Sequence, residues 1–144
     1  MRFVRSVGIS GDPRARFVSP GYAIMLVGVG HAIWGLIAYH DPVWDLIRAG
    51  FVGSVGDGIF DTTDAKGPRA AAFWFLLTAP FLVLAGYLVE VAIRDRDHHA
   101  LLVAGISLLA IGLVGVAVMP ASGFWAGIGI GCWLVYWGRS GRYA

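Results

Sequence analysis

The sequence predicts an all-α integral membrane protein: a four-helix bundle of up-down-up-down topology, with a short interfacial helix in the first extracytoplasmic loop. Three observations support this. Twenty residues without a charge run from Ala70 to Val89, enough for an α-helix to cross ~30 Å of hydrocarbon at ~1.5 Å per residue. The chain is 58% hydrophobic and 14% charged, whereas an average soluble domain is ~25% charged. Its six Trp, eight Phe and five Tyr suit the aromatic belts of membrane interfaces.

The 144 residues are expected to form one membrane domain. The net charge of +2 is small, and no basic stripe with interleaved aromatics predicts nucleic-acid binding. Gly-rich phosphate loops, GxSxG, CxxC and HExxH are absent from the sequence, so hydrolase, kinase and thiol-redox functions have no support. The single cysteine, Cys132, lies in an apolar run and has no internal disulfide partner.

The first predicted span is Pro20–Tyr39, which follows a basic leader of residues 1–19 with four arginines. Pro20 fits the first turn of a helix, because the N–H that it lacks would have no partner there. A basic leader before an apolar run also occurs in signal peptides. The apolar run here is too long, however, and no small-x-small cleavage site precedes His40, so we expect a retained anchor.

The outer loop, residues 40–68, is the longest polar region of the chain. Within it, Val43–Val52 repeats apolar residues at helical spacing, which predicts a short helix lying in the membrane interface. Glycines then interrupt the pattern. The remainder of the loop carries three aspartates, Asp57, Asp61 and Asp64.

Three further spans are predicted, at residues 70–93, 100–118 and 123–137. Pro80 lies in the middle of the second span and predicts a kink, because proline removes one backbone hydrogen bond and crowds the preceding turn. Ser122 is the candidate N-cap of the fourth span, which is short at fifteen residues.

Four spans place both termini on one side of the membrane, and the basic residues indicate which side. Eight arginines fall in the two terminal segments and the turn at residues 94–99. The opposite side has Arg48, Lys66 and Arg69, diluted by five aspartates. We therefore expect an inner (plasma) membrane protein with both termini in the cytoplasm.

Small residues recur at fixed intervals and predict the faces on which helices approach closely, which is what holds helices together in lipid. The first three spans have them every seven positions: Gly21, Gly28 and Gly35; Ala72, Ala79 and Gly86; Gly105 and Gly112. The fourth span has a GxxxG pattern instead: Gly123, Gly127 and Gly131. This predicts a compact bundle, and the GxxxG face is also suited to contact with another copy.

His31 is the residue that most suggests chemistry. It lies eleven residues into the first span on the row of Gly28 and Gly35, and so is expected near mid-membrane, facing the bundle. An ionisable residue there is a functional hypothesis by default, as catalytic acid or base, haem or metal ligand, or anchor for a lipophilic ligand. The alternative is a neutral histidine bonded to a carbonyl across a helix interface, with Thr78 and Ser107 as candidate partners.

Glu90 also lies on a predicted inner face, but in the last turn of its span. Arg94 follows at i+4, the favourable order for a helical ion pair, so an interfacial pair is predicted. Because the first two spans run antiparallel, Glu90 should lie near Tyr22 and not near His31.

A pocket is predicted on the outer side of His31. Trp34 and Tyr39 extend this region outward, and Tyr39, His40 and Trp44 are its expected rim. The acidic loop lacks the order of an EF-hand and has no specific zinc spacing, so no metal site is predicted.

Two motifs resemble those of a family of short four-span bacterial membrane proteins, common in actinobacteria, known as a domain of unknown function. The motifs are Gly30–Pro42, GHAIWGLIAYHDP, and Arg69–Val89, RAAAFWFLLTAPFLVLAGYLV. The resemblance covers most of the chain from about Gly28 onward. It implies topology and no particular activity.

The resemblance also draws attention to His31, Arg69 and Trp74. With these, the candidate cofactor-binding residues are His31, Trp34 and Trp74, and Arg69 joins the pocket rim.

The sequence thus favours a small membrane protein that binds a lipophilic small molecule or acts as an accessory subunit, with the lipid bilayer and further copies of itself as partners. The alternative is a membrane-embedded isomerase or cyclase acting on a hydrophobic substrate, with His31 as acid/base or as a haem ligand. A transporter is disfavoured, because no acidic residue lies at mid-membrane.

Overall fold

The computed structural model describes residues 19–50, 52–55 and 66–141, and this part of the chain is all-helical, without strands. It contains five helices: α1 (Pro20–Ala38), α2 (His40–Arg48), α3 (Lys66–Arg94), α4 (His98–Val118) and α5 (Phe124–Ser140). The basic leader before Ser19, the loop aspartates at 57, 61 and 64, and Arg142 lie outside the described residues. The predictions that depend on them stay predictions.

Three of the described helices, α1, α3 and α4, are long and apolar enough to cross a membrane. Only 17–22% of the apolar stretch of each is buried within the chain, so most of the apolar surface faces outward. Soluble monomers rarely expose contiguous apolar surface on this scale. The distribution suggests a membrane protein, as the composition predicts.

Helix ends follow local capping rules. Ser19 is the N-cap of α1 and accepts a hydrogen bond from the N–H of Tyr22 at 3.3 Å, with Pro20 in the first turn. Asp97 caps α4 in the same way, through the N–H of Ala100 at 2.9 Å. The predicted cap of the fourth span is wrong by one residue: Gly123 is the N-cap of α5, and the Ser122 hydroxyl donates to the carbonyl of Met119.

The short helix predicted in the outer loop is present as α2, but it begins at His40, three residues before the predicted start. It ends at Arg48, because Gly50 and Gly53 then adopt left-handed backbone conformations with φ of 87° and 69°. Leu46 is its buried residue, and α2 packs mainly on α3.

The α1–α3 pair forms through the predicted rows of small residues. Gly21 lies against Gly86, and a Cβ built on Gly86 would lie 2.5 Å from the Gly21 carbonyl oxygen. Two helical turns further along α1, a Cβ on Gly28 would lie 3.0 Å from the Ala79 carbonyl oxygen. Ala72, at the far end of the row, is fully buried. The seven-residue spacing therefore marks a real close-packed face.

The α4–α5 hairpin also packs through glycines, but the predicted GxxxG face is only partly used. Gly131 meets Gly105 and Leu109, whereas nothing lies within 4 Å of a Cβ on Gly123, and Gly127 has only loose contact with Leu108. Gly138, seven residues after Gly131, supplies a further close approach, against Leu102. The spacing of seven thus recurs in α5, between the two glycines that meet the backbone of α4 most closely.

The two pairs contact each other less extensively than the helices within each pair do. The buried cluster that joins them contains one residue from each long helix, namely Ile24, Val89, Leu101 and Leu134. These residues lie in the half of the molecule that contains the α3–α4 turn, which we call the turn end. The opposite end, with α2, is the α2 end.

Candidate functional site

His31 faces α3, as its position on the glycine row predicts. Its Nε2 lies 3.1 Å from the carbonyl oxygen of Phe75, and its ring stacks on the Phe75 ring with centroids 3.8 Å apart and planes 14° apart. The Phe75 ring also meets Tyr39 at 5.2 Å. His31 is therefore half-buried in the α1–α3 interface and lies outside the cluster that joins the two pairs.

This contact determines which ring nitrogen carries the proton in the neutral imidazole. A backbone carbonyl can only accept, so Nε2 carries the hydrogen and donates it to Phe75. Nδ1 then carries the lone pair that can accept a hydrogen bond, and no partner for it occurs among the described residues. The candidate partners Thr78 and Ser107 do not bond His31; the Thr78 hydroxyl donates to the Trp74 carbonyl of its own helix at 2.9 Å.

The Phe75 carbonyl, which accepts the hydrogen bond from His31, lies in the turn of α3 that precedes Pro80. Pro80 has no N–H to give to the carbonyl of Leu76, the residue after Phe75, although α3 continues through Pro80 to Arg94. A polar side chain from a neighbouring helix is one of the ways in which membrane helices compensate for a proline. His31 does not fill this role, because its hydrogen bond goes to the carbonyl of Phe75 and not to that of Leu76.

The other candidate cofactor residues point away from this interface. Trp34 and Trp74 are 63% and 54% exposed, and within the described chain neither ring contacts the His31 ring. Trp74 makes an edge contact with Phe73 at 5.4 Å. Both indoles lie toward the α2 end on the outer surface, a placement typical of an interfacial aromatic belt.

The predicted rim residues His40 and Trp44 form a local cluster on α2. The indole N–H of Trp44 donates to Nε2 of His40 at 2.8 Å, and Nδ1 of His40 lies 3.0 Å from the Asp41 carboxylate. Both ring nitrogens of His40 are therefore engaged, with Nδ1 as the donor. The cluster is exposed, so it links neighbouring side chains of α2 at the surface.

Arg69 lies in the first turns of α3 and is half-buried. Its Nε is buried and has no hydrogen-bond partner within the described part of the chain.

Glu90 lies at the turn end of the same α1–α3 interface, as the antiparallel argument predicts. Its carboxylate accepts hydrogen bonds from the Ser19 hydroxyl and from the backbone N–H of Tyr22, the latter at 3.2 Å. The predicted ion pair with Arg94 is wrong: among the described residues Glu90 makes these contacts instead, at the N-terminal end of α1, whose partial positive charge favours a carboxylate.

Ser19 and Phe75 are the two residues of this interface that sequence reasoning missed. Ser19 carries a signal that was available, because a serine directly before a helix-starting proline is typical of an N-cap. Phe75 acts through its backbone carbonyl and its ring face, and no residue-type pattern predicts that.

No group of three or more His, Cys, Asp or Glu side chains able to hold a metal ion occurs in the described part of the chain. A haem bound through Nε2 of His31 would have to displace the hydrogen bond to Phe75. Two apolar grooves, of about 440 and 400 Å³, lie on the α4–α5 hairpin, and none of the predicted ligand-binding residues lines either.

Comparison with protein-family models matches residues 15–141 to DUF6463, a family of unknown function. No curated protein and no solved structure matches the chain. The match includes every described helix and confirms the expected likeness to a domain of unknown function. The bacterial group and the number of spans stay predictions. Because the family model matches most of the chain, the protein belongs to the DUF6463 family.

Proposed function

We propose that this protein is a small, non-catalytic integral membrane protein, packed as a four-helix bundle, that acts as an accessory subunit and associates with further copies of itself. One observation supports the non-catalytic role above the others. The imidazole of His31, the strongest candidate for chemistry, is engaged by Phe75 through both Nε2 and its ring face.

The packing of α5 against α4 supports the proposal that α5 is a fourth membrane span. With 17 residues α5 is shorter than the other spans, yet it follows α4 from Gly115, next to Phe124, to Leu102, next to Gly138. A helix that lies along a membrane-spanning partner over this length reaches nearly the same depth on both sides. Four spans place both termini together, and the excess of arginine at the turn end favours the cytoplasm.

Self-association is supported by small residues that no neighbour covers. Nothing lies within 4 Å of a Cβ on Gly30 of α1 or Gly129 of α5, and both glycines are exposed. Large apolar side chains such as Ile33 and Ile111 are also more than half exposed. In lipid, small residues on an outer face let a second helix approach closely.

The first experiment compares His31→Ala with His31→Gln. A glutamine amide places an N–H near the position of Nε2 but has no basic nitrogen and cannot serve as an axial haem ligand. We expect His31→Ala to lower the free energy of unfolding in detergent by about 1 kcal/mol, the scale of a membrane hydrogen bond, and His31→Gln to recover most of it. A change in a bound species or in turnover in His31→Gln, with stability intact, would contradict the structural role.

Native mass spectrometry and an absorption spectrum of the same sample provide the second measurement. We expect an oligomer of fixed size with a flat visible spectrum. Gly30→Leu and Gly129→Leu should change the oligomer number and leave the fold intact. A Soret band lost in His31→Gln would overturn the proposal in favour of haem, and a bound apolar mass at fixed stoichiometry would favour a ligand-binding protein.

The second candidate is a membrane-embedded isomerase or cyclase. It is favoured by Nδ1 of His31, a basic nitrogen with no partner among the described residues. Activity of such an enzyme would disappear in His31→Gln, because glutamine has no basic nitrogen.

A further inference from the structure

We infer that one groove of the α4–α5 hairpin is a binding site for one anionic phospholipid. This groove lies at the turn end of the molecule, beside the C-terminus of α5. It has a volume of about 440 Å³ and is lined by Leu109, Cys132, Val135, Tyr136, Arg139 and Ser140. The inference rests on the proposed membrane-embedded bundle, and it concerns a surface that the α1–α3 interface does not reach.

The lining residues change from apolar to polar along the groove. Leu109, Cys132 and Val135 line its deeper part, and Arg139 and Ser140 line the end nearest the helix terminus. Seven residues separate Cys132 from Arg139, a distance of ~10 Å along the helix axis. A phospholipid has the same sequence of groups, with acyl carbons below a phosphate.

The charge at the groove mouth matches an anionic headgroup. Arg139 is exposed, takes part in no ion pair within the described chain, and no acidic side chain lines the groove. The Tyr136 side chain, 55% exposed, adds a hydroxyl one turn deeper. A guanidinium binds a phosphate through paired, charge-assisted hydrogen bonds.

The second groove of the hairpin provides a contrast within the same two helices. It has a similar volume, about 400 Å³, and is lined by Ala110, Ile111, Val114, Gly115 and Phe124. These residues can contact acyl chains, but none of them has a polar side chain that could bind a headgroup. A lipid of defined charge is therefore expected at the Arg139 groove and not at this one.

The test is native mass spectrometry of the full chain in detergent, titrated with dioleoyl phosphatidylglycerol, dioleoyl phosphatidylethanolamine or inorganic phosphate. We expect one phosphatidylglycerol to be retained, with about tenfold weaker binding in Arg139→Gln. Arg96→Gln removes a cation from the same end outside the groove, so it should change binding less than twofold. Cys132→Phe, which fills the groove and keeps Arg139, should also lose the lipid.

Cys132 supplies an independent readout, because it is the only cysteine and is exposed in the groove. Phosphatidylglycerol should slow its alkylation by N-ethylmaleimide in the wild type and not in Arg139→Gln. Equal retention of the two lipids, equal losses in Arg139→Gln and Arg96→Gln, or competition by phosphate alone would each overturn the inference. The oligomer number is read in the same spectra and the His31 variants lie outside this groove, so failure of this site is distinguishable from failure of the proposed function.

Discussion

The two helix pairs of this protein are held together by different means. The α1–α3 pair combines close glycine contacts with polar groups at both ends: Glu90 and Ser19 at one, His31 near the other. The α4–α5 hairpin has equally close glycine contacts, and around its turn the Ser122 hydroxyl donates to the Met119 carbonyl and the Trp125 indole to the Pro120 carbonyl. The difference shows that the pair separated by the long loop has side-chain hydrogen bonds between residues 71 and 44 positions apart, whereas those around the hairpin turn join residues three and five positions apart.

A short connection explains part of this contrast. Five residues join α4 to α5, whereas α1 and α3 are separated by residues 39–65. The entropic cost of closing a loop rises with its length, although slowly, so bringing α1 and α3 together costs more than bringing α4 and α5 together. The hydrogen bonds of α1–α3 also determine its register, since each pairs one particular residue with another.

The largest effect is expected from enlarging Gly86. In Gly86→Leu a Cβ would lie 2.5 Å from the Gly21 carbonyl and 2.8 Å from the Met25 backbone nitrogen, and neither backbone can move without separating the helices. We expect a loss of about 3 kcal/mol in the free energy of unfolding, measured by denaturant titration in detergent. Gly67→Leu, in the first turn of the same helix α3, meets nothing within 4 Å and is the matched control. Equal stability of the two variants would show that α1 and α3 do not pack on this face.

A smaller effect, confined to α1–α3, is expected at Glu90. Glu90→Ala removes the acceptor of the Ser19 hydroxyl and one of the acceptors of the Tyr22 N–H, so we expect a loss of about 1–2 kcal/mol, the scale of hydrogen bonds to a charged group. Glu90→Gln keeps an acceptor and should lose less. Asp95→Ala, at an exposed position in the neighbouring turn, serves as control. If Arg94→Ala matched Glu90→Ala, the ion pair predicted from the sequence would have to be reinstated.

The smallest effect is expected in the hairpin. Ser107 is an exposed polar residue of α4 with no recorded hydrogen bond among the described side chains. Ser107→Ala should therefore change the free energy of unfolding by less than about 0.5 kcal/mol. A loss comparable to that of His31→Ala would mean that Ser107 bonds across a helix interface, and the contrast between the two pairs would no longer hold.

Much of the site was predictable in position but not in partner. The seven-residue row placed His31 toward α3, and the antiparallel arrangement placed Glu90 near Tyr22, and the structure confirms both placements. The partners themselves, the Phe75 carbonyl and the Ser19 hydroxyl, depend on the rotation and offset of α1 against α3. A shift of one residue would move either contact beyond hydrogen-bond distance, and sequence spacing does not determine offset at that precision.

The sequence by itself determined the apolar helices, their approximate ends and the small-residue faces, because hydrophobic length, capping residues and seven-residue spacing are local properties. It also predicted the amphipathic helix α2, with a start three residues too late. Only the tertiary structure decided that His31 donates to a backbone carbonyl, that Glu90 binds the end of α1, and that Arg139 closes an apolar groove. Each of these depends on atoms far apart in the chain, or on opposite helices, brought within a few ångströms by packing. The physical reason is that hydrogen bonds and grooves depend on distances between helices, which no local pattern contains.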